Sequence, residues 1–289
     1  MSHFKLPFGA YALPDAVERR LEMAGTFPVN RFGRLMTSLV RRLCLLGRKE
    51  PFDISVFPTI GARLFPSTNR CEKRLVAGPQ FFDLPERQAL TAAMRESGSD
   101  PFIFLDLGAN VGFYSLWVVA QSRQLGQPVR VLAVEPDGET RRRLEFNIAA
   151  SDADRDITAL ACGIGAESGW GNMTTHARNR GANTIAPAAD EAEGSFEVVP
   201  LEELCRRNGI ERIDALKIDI EGYDYPALEA FFASGRTGLY PEMIIAEVGR
   251  KKADPPLIRL CAENGYKLLE RTHLNAIMTR SRAQAETNG

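Results

Sequence analysis

Residues 102–115, FIFLDLGANVGFYS, constrain the fold of this chain more than any other stretch. The apolar run from Phe102 to Leu105 reads as a buried parallel strand, because no polar residue alternates with the apolar ones. An acid, Asp106, follows, then glycines at 108 and 112. Beyond them Phe113, Leu116, Trp117 and Ala120 recur at helical spacing. Strand, glycine turn and helix make up the first half of a nucleotide-binding βαβ unit. Glycine is needed there because a Cβ would block close backbone approach or a positive φ.

Spacing narrows the ligand. A dinucleotide fingerprint is G-x-G-x-x-G, with pyrophosphate at the helix N-terminus. Here the pattern is Asp106-x-Gly108-x-Asn110-x-Gly112, with no glycine at 110. An acid two residues before the first glycine repels a pyrophosphate. The same acid suits a cationic ligand end, such as the amino group of S-adenosylmethionine. An ordinary strand–helix turn is the competing explanation.

The bulk properties remove other classes. A formal net charge of −1 over 289 residues gives no reason to expect a nucleic-acid partner. The five cysteines, 44, 71, 162, 205 and 261, contain no C-x-x-C pair, which argues against a zinc site or a disulfide framework and for a reducing, cytoplasmic setting. No apolar run approaches the ~18 residues of a membrane-spanning helix. The first residues lack the apolar core of a signal peptide.

Two regions are expected, a helical and hairpin extension over 1–84 and a catalytic domain over 85–289. In the first, a short helix (15–24) precedes residues 30–49, whose apolar positions 32, 35, 36, 39, 40, 43 and 46 form a helical stripe. Arg31, Arg34, Arg41, Arg42, Arg48 and Lys49 lie off it. Such a helix packs on its own domain or a second copy, or lies on an anionic membrane surface. FDISVFP and ARLFP suggest a hairpin around Thr59–Gly61. NRCEKRL (69–75) is a charged excursion, and Pro85 opens a helix to about Arg95. From 102 onward strands and helices alternate: strands at 129–137, 156–165, 213–222 and 242–248, helices at 138–151, 224–233 and 255–264. This is the rhythm of an α/β doubly wound parallel sheet. The connection 166–199 is long, with one extra strand, FEVVP, ahead of the helix LEELCRRNG, and reads as a functional loop. YKLLERT and LNAIMTR close the chain as an antiparallel pair around His273. That pair sets class I methyltransferases apart from dinucleotide Rossmann domains.

Ligands of open α/β sheets bind beyond the carboxyl ends of the strands. Asp106 and Gly108 end the first strand. Glu135, before Pro136, ends the second, where an acid accepts ribose hydroxyls. Cys162 and Gly163 end the third, small enough to pass an adenine. On the fourth, alternation puts Lys217, Asp219 and Glu221 on one face and Leu216, Ile218 and Ile220 on the other. A lysine inside a central strand is costly unless paired, so Lys217 is expected to pair with Asp106 or Glu247 of the flanking strands. Asp219, Glu221 and Glu247 could instead collect a divalent cation, as in a catechol-type enzyme. For methyl transfer to a hydroxyl, Asp219 or Glu221 is the expected base with Lys217 tuning it, and His176 is the second choice.

The chain resembles the FkbM-type S-adenosylmethionine-dependent methyltransferases. The resemblance is carried by LDLGANVGFYSLW (105–117), VEPDGETRRRLEFNI (134–148), LEEL (201–204) and LKIDIEGYDYPALEA (216–230), and spans about 85–280. It implies a class I fold and O-methylation of a sugar, glycan or polyketide-like small molecule. It further implies that Asp106, Gly108, Asn110 and Glu135 hold S-adenosylmethionine, with Asp219 at the methyl end and Glu221 near the acceptor. ACGIG at 161–165 departs from the polar residue usual in such families. A non-catalytic S-adenosylmethionine-binding module, its N-terminal helices serving partner or membrane binding, is the alternative. A homodimer is compatible with either.

Overall fold

The structure is a computed structural model that describes residues 3–174, 184–188, 194–220, 222–249 and 255–281. Helices α1 (Asp15–Gly25) and α2 (Arg31–Leu45) lead into a hairpin of β1 (Phe52–Phe57) and β2 (Ile60–Leu64), then α3 (Arg70–Leu75) and α4 (Leu84–Glu96). The expected hairpin is present, and its turn residue Thr59 has φ +64°. The charged excursion at 69–75 is helical. Asn69 starts it by accepting from the backbone N–H groups of Cys71 and Glu72, which satisfies two otherwise orphaned donors.

The alternating region runs β3 (Phe102–Leu107), α5 (Phe113–Leu125), β4 (Val129–Val134), α6 (Gly138–Ala150) and β5 (Ile157–Leu160). Then come β6 (Gly163–Gly165), β7 (Gly169–Thr174), β8 (Thr184–Ala188), β9 (Ser195–Pro200) and α7 (Leu201–Arg207). The chain ends with β10 (Ala215–Ile218), α8 (Asp224–Ala233), β11 (Met243–Glu247), α9 (Pro256–Glu263), β12 (Tyr266–Arg271) and β13 (Asn275–Arg280). Seven strands form the main sheet in the order β12-β13-β11-β10-β3-β4-β5. Only the pairings of β13, with β11 and with β12, are antiparallel. This is the class I methyltransferase architecture: a Rossmann-like doubly wound sheet closed by an antiparallel pair. Its winding reverses between β3 and β10.

Two readings of the sequence are corrected. The segment 156–165 is not one strand. β5 stops at Leu160, and β6 belongs to a second, four-stranded sheet in the order β6-β9-β7-β8. The last ladder bond with the neighbour is Glu135 N–H to the Leu160 carbonyl; the next N–H in line, that of Asp137, turns instead to Glu135 Oε1. The strand therefore leaves the sheet and pairs with β9. The long connection 166–199 thus holds β7 and β8 besides the expected β9; residues 175–183 and 189–193, His176 among them, lie outside the described set.

The sheet separates two hydrophobic clusters. Phe102, Phe104, Val131 and Ala215 face the one built with α5, α6 and the N-terminal elements; Ile103, Leu105, Leu132, Leu216 and Ile218 face the one built with α7, α8 and α9. Leu13, Val17, Leu21, Phe52 and Leu64 sit in the first cluster, so residues before 84 share a core with the sheet. Of the apolar stripe of α2, Val40 packs against this core but most of the rest does not. This helix buries Gly33, Thr37 and Cys44, while Phe32, Leu35, Leu39 and Leu43 face solvent.

Candidate functional site

The site forms where β3, β4 and β10 end together. Register places Asp106 opposite Ala133 of β4 and Lys217 of β10. By alternation Asp106 and Lys217 lie on the face of Phe104 and Ala215, toward α5 and the N-terminal elements. Asp106 is 1% exposed. Its Oδ2 accepts from the Ser115 N–H at 3.2 Å and the Ser115 hydroxyl at 2.7 Å, at the start of α5. Its Oδ1 is equally buried and has no partner. A buried, unpartnered carboxylate oxygen costs free energy until a donor meets it. Burial pushes the Asp106 carboxyl up, against the pull of Lys217.

The turn after β3 is shaped by its own chain. Gly108 has φ +77°, and a Cβ there would stand 2.0 Å from the Asp219 carbonyl oxygen; at Gly112, φ +89°, it would stand 2.4 Å from Leu144 Cδ1. The glycines thus let this turn nest against the end of β10 and against α6. Asn110 between them takes φ +53°. Its N–H donates to Glu135 Oε2 at 2.9 Å, and its side-chain oxygen accepts from Asn69 Nδ2 at 2.8 Å. Glu135 Oε1 accepts from the Asp137 N–H at 2.9 Å. Burial raises the Glu135 carboxyl to about 7, although both backbone donors favour its ionised form.

Lys217 is paired, as its burial requires, but with a different acid from those expected. Its Nζ lies 3.2 Å from Asp219 Oδ2 and 3.3 Å from the Gly108 carbonyl, and 5.5 Å from the centre of the Tyr114 ring. Beyond Ile218 the strand ends, so Asp219 can turn back onto a lysine of its own strand. Asp106 and Asp219 together outweigh the burial penalty and hold Lys217 above its ordinary value. Burial works against ionisation of Asp219, but Lys217 and a hydrogen bond with Glu247 hold its carboxyl below the ordinary value. Asp219 keeps 36% of its side chain exposed, so it is the member of the pair that faces out.

Of the residues singled out from sequence, Asp106, Gly108, Asn110, Glu135, Lys217 and Asp219 converge. Gly112 and Pro136 shape the turns beside them. Cys162 and Gly163 lie where the chain crosses between sheets, and the Cys162 thiol is raised to about 11 by burial and by Glu197. Glu221 lies outside the described residues, as His176 does. Among the described residues no three His, Cys, Asp or Glu side chains are grouped to hold a metal ion.

The N-terminal elements contribute residues that motif reading passed over. Asn69 grips the glycine turn, and the Cys71 thiol is pushed up to about 12 by burial and by nearby Asp83. Asp83, at φ +39°, accepts from the Tyr114 hydroxyl at 3.1 Å. It also lines a cavity of about 400 Å³ between α2, residues 78–86 and the β12–β13 turn. Arg34, Arg41, Arg74, Glu86 and His273 line it too, and Glu86 Oε2 is buried there without a partner. A line of contacts, Asp83 to Tyr114 to Lys217 to Asp219, joins this cavity to the strand ends.

The family described as "Methyltransferase FkbM domain" matches residues 106–268, more than half of the chain. The chain belongs to the FkbM methyltransferase family. Among curated relatives, it is 30% identical over 161 residues to the methyltransferase sdnD of Sordaria araneosa, a match covering 45% of this chain and 60% of that protein. It is 29% identical over 154 residues to the antimetabolite synthetase AmbE of Pseudomonas aeruginosa, over 41% of this chain and 7% of that protein. The match thus spans less than two thirds of either relative. Among solved structures, the FkbM methyltransferase of Methylobacillus flagellatus is similar with a TM-score of 0.42 and 16% identity, over 72% of this chain and 54% of that one. The METTL16 methyltransferase domain is similar with a TM-score of 0.49 and 13% identity, over 92% and 90%. For this FkbM family member, the matched segment begins at Asp106 and includes every converging site residue.

Proposed function

We propose that this chain is an S-adenosylmethionine-dependent methyltransferase acting on a hydroxyl of a sugar, glycan or polyketide-like small molecule. The observation that carries the reading is the unpartnered Asp106 Oδ1, a buried anionic acceptor at the topological switch point. It fits the ammonium end of the cofactor, and Glu135 fits the ribose hydroxyls, since each of its oxygens keeps a lone pair after one backbone bond. Bound S-adenosylmethionine supplies a methyl group already activated on a sulfonium. The protein then has to align the acceptor, exclude water and take one proton.

Lys217 is held as a cation and cannot serve as the base; it orients Asp219 and keeps it ionised. Asp219 accepts a hydrogen bond from the acceptor hydroxyl and takes its proton as the new C–O bond forms and the sulfonium C–S bond breaks. Glu221 stands beside it in sequence as the second candidate. The 400 Å³ cavity, lined by charged and hydrogen-bonding side chains, suits a polar acceptor, and Asp83 on its wall is linked to this point by side-chain contacts through Tyr114 and Lys217.

Calorimetry with S-adenosylmethionine, S-adenosylhomocysteine and NAD is the first test, followed by methyl transfer to a panel of hydroxylated acceptors. Both sulfur ligands should bind and NAD should not. Asp106→Asn should weaken S-adenosylhomocysteine by roughly 10- to 100-fold, the worth of a hydrogen bond to a charged group. Binding of NAD in their place would overturn the reading. Binding with no turnover on any acceptor would leave a non-catalytic module.

A further inference from the structure

Among the described residues, most of the apolar stripe of α2 has no cover; Val40, at its edge, packs on the core. Phe32, Leu35, Leu39, Leu43 and Leu46 are between 47% and 78% exposed. At 3.6 residues per turn they fall within an arc of about 80°, a continuous ridge along the helix. The helix is held from another side, by Gly33 and Thr37, where Gly33 passes so close to Pro28 that a Cβ would stand 1.9 Å from its carbonyl oxygen. The ridge therefore cannot turn inward without dismantling that contact. Contiguous exposed apolar side chains of this size mark a docking surface.

Charge identifies what docks. Residues 29–49 carry six cations, Arg31, Arg34, Arg41, Arg42, Arg48 and Lys49, and no acid. Arg31 and Arg42 border the ridge on the helical wheel, and Arg48 and Lys49 follow its end. A second copy docked ridge to ridge would bring Arg31 and Arg42 of both helices together with no acid on either helix to answer them. The footprint is also small for a dimer. A 15-residue helix is about 22 Å long and about 10 Å wide, a few hundred Å² against the roughly 800 Å² per partner of a stable interface. An apolar ridge bordered by cations instead matches an anionic bilayer, whose acyl boundary takes the ridge while its headgroups meet the arginines. We propose that α2 and the turn after it, residues 31–49, dock this protein peripherally on anionic phospholipid.

Flotation of the full chain with phosphatidylcholine vesicles, with and without phosphatidylglycerol, tests this. Binding is expected to the anionic vesicles alone and to fall as salt is raised. Leu35→Asn with Leu39→Asn should abolish it. Arg31→Gln with Arg42→Gln should weaken it by roughly tenfold or more at low salt. The substituted side chains are exposed, so unchanged thermal unfolding of each variant is the control that the fold survives. No binding to anionic vesicles, equal binding to both vesicle types, or no effect of the leucine pair would overturn the proposal. So would a dimer that Leu39→Asn dissociates in a protein that ignores vesicles.

Discussion

At the scale of single residues, the site works by burying charge where only part of it is answered. Glu135 shows the consequence most directly. Its carboxyl, raised to about 7 by burial, is part-protonated near neutrality. Ligand hydroxyls donate more strongly to the ionised form, so binding lowers its pKa and releases a proton. Affinity for S-adenosylhomocysteine should therefore rise as pH climbs through about 7 and level off above it. Glu135→Gln should remove that slope and weaken binding at every pH, as calorimetry below and above neutrality would show. Asp106, Glu135, Lys217 and Asp219 were all legible as candidates, because an acid or a lysine at a buried strand end has few bland explanations. The partner of Lys217 was not. Strand alternation points across to Asp106 and Glu247, whereas the pair forms along the chain, with Asp219, once the ladder has ended.

At the scale of elements, α2 separates pattern from placement. Periodicity identifies an amphipathic helix but does not say which side the protein covers. Here the covered side is the small-residue one. Leu39→Ala should change stability by no more than about 0.5 kcal/mol, as for an exposed site. Gly33→Ala, whose new Cβ would press on the Pro28 backbone, should cost about 1–3 kcal/mol. Urea unfolding of both variants checks the contrast, and the reverse ranking would mean that the ridge is buried. The third strand makes the same point. Its composition reads straight through from 156 to 165, but a strand persists only while a neighbour supplies ladder bonds, and that supply ends after Leu160, where the Asp137 N–H turns to Glu135.

At the scale of the molecule, the N-terminal elements are tied to α6 by the buried pair of Glu72 with Arg143, at 3.4 Å, and by a second buried pair inside the hairpin whose arginine reaches the same helix. Arg63, fully buried, meets Asp53 with Nε–Oδ1 at 2.7 Å and Nη2–Oδ2 at 2.8 Å. Its guanidinium also donates to the carbonyls of His3, Leu6 and Pro7 and lies 4.1 Å from the centre of the Phe146 ring on α6. Its backbone N–H donates to Asn147 of the same helix at 2.9 Å. Arg63→Ala would leave Asp53 buried without its counter-ion and should cost about 3–5 kcal/mol. Because residues before 84 share a core with the sheet and supply Asn69 to the glycine turn, S-adenosylhomocysteine binding should be lost in the same thermal transition as the fold. Arg63 carried no signal in the sequence: it stands in a short strand like any surface arginine, and only the chain folding over it makes it central.

Local order alone settled the strand–helix rhythm, the turn after Asp106 and the closing antiparallel pair, because each follows from residue spacing within a few positions and from what a backbone without Cβ can do. Assembly decided the rest. Which acid answers Lys217, which side of α2 stays bare, where β5 leaves its sheet and how Asp83 and Asn69 reach the strand ends all depend on atoms brought together from distant positions. Burial and pairing are properties of that neighbourhood, and no single segment contains them.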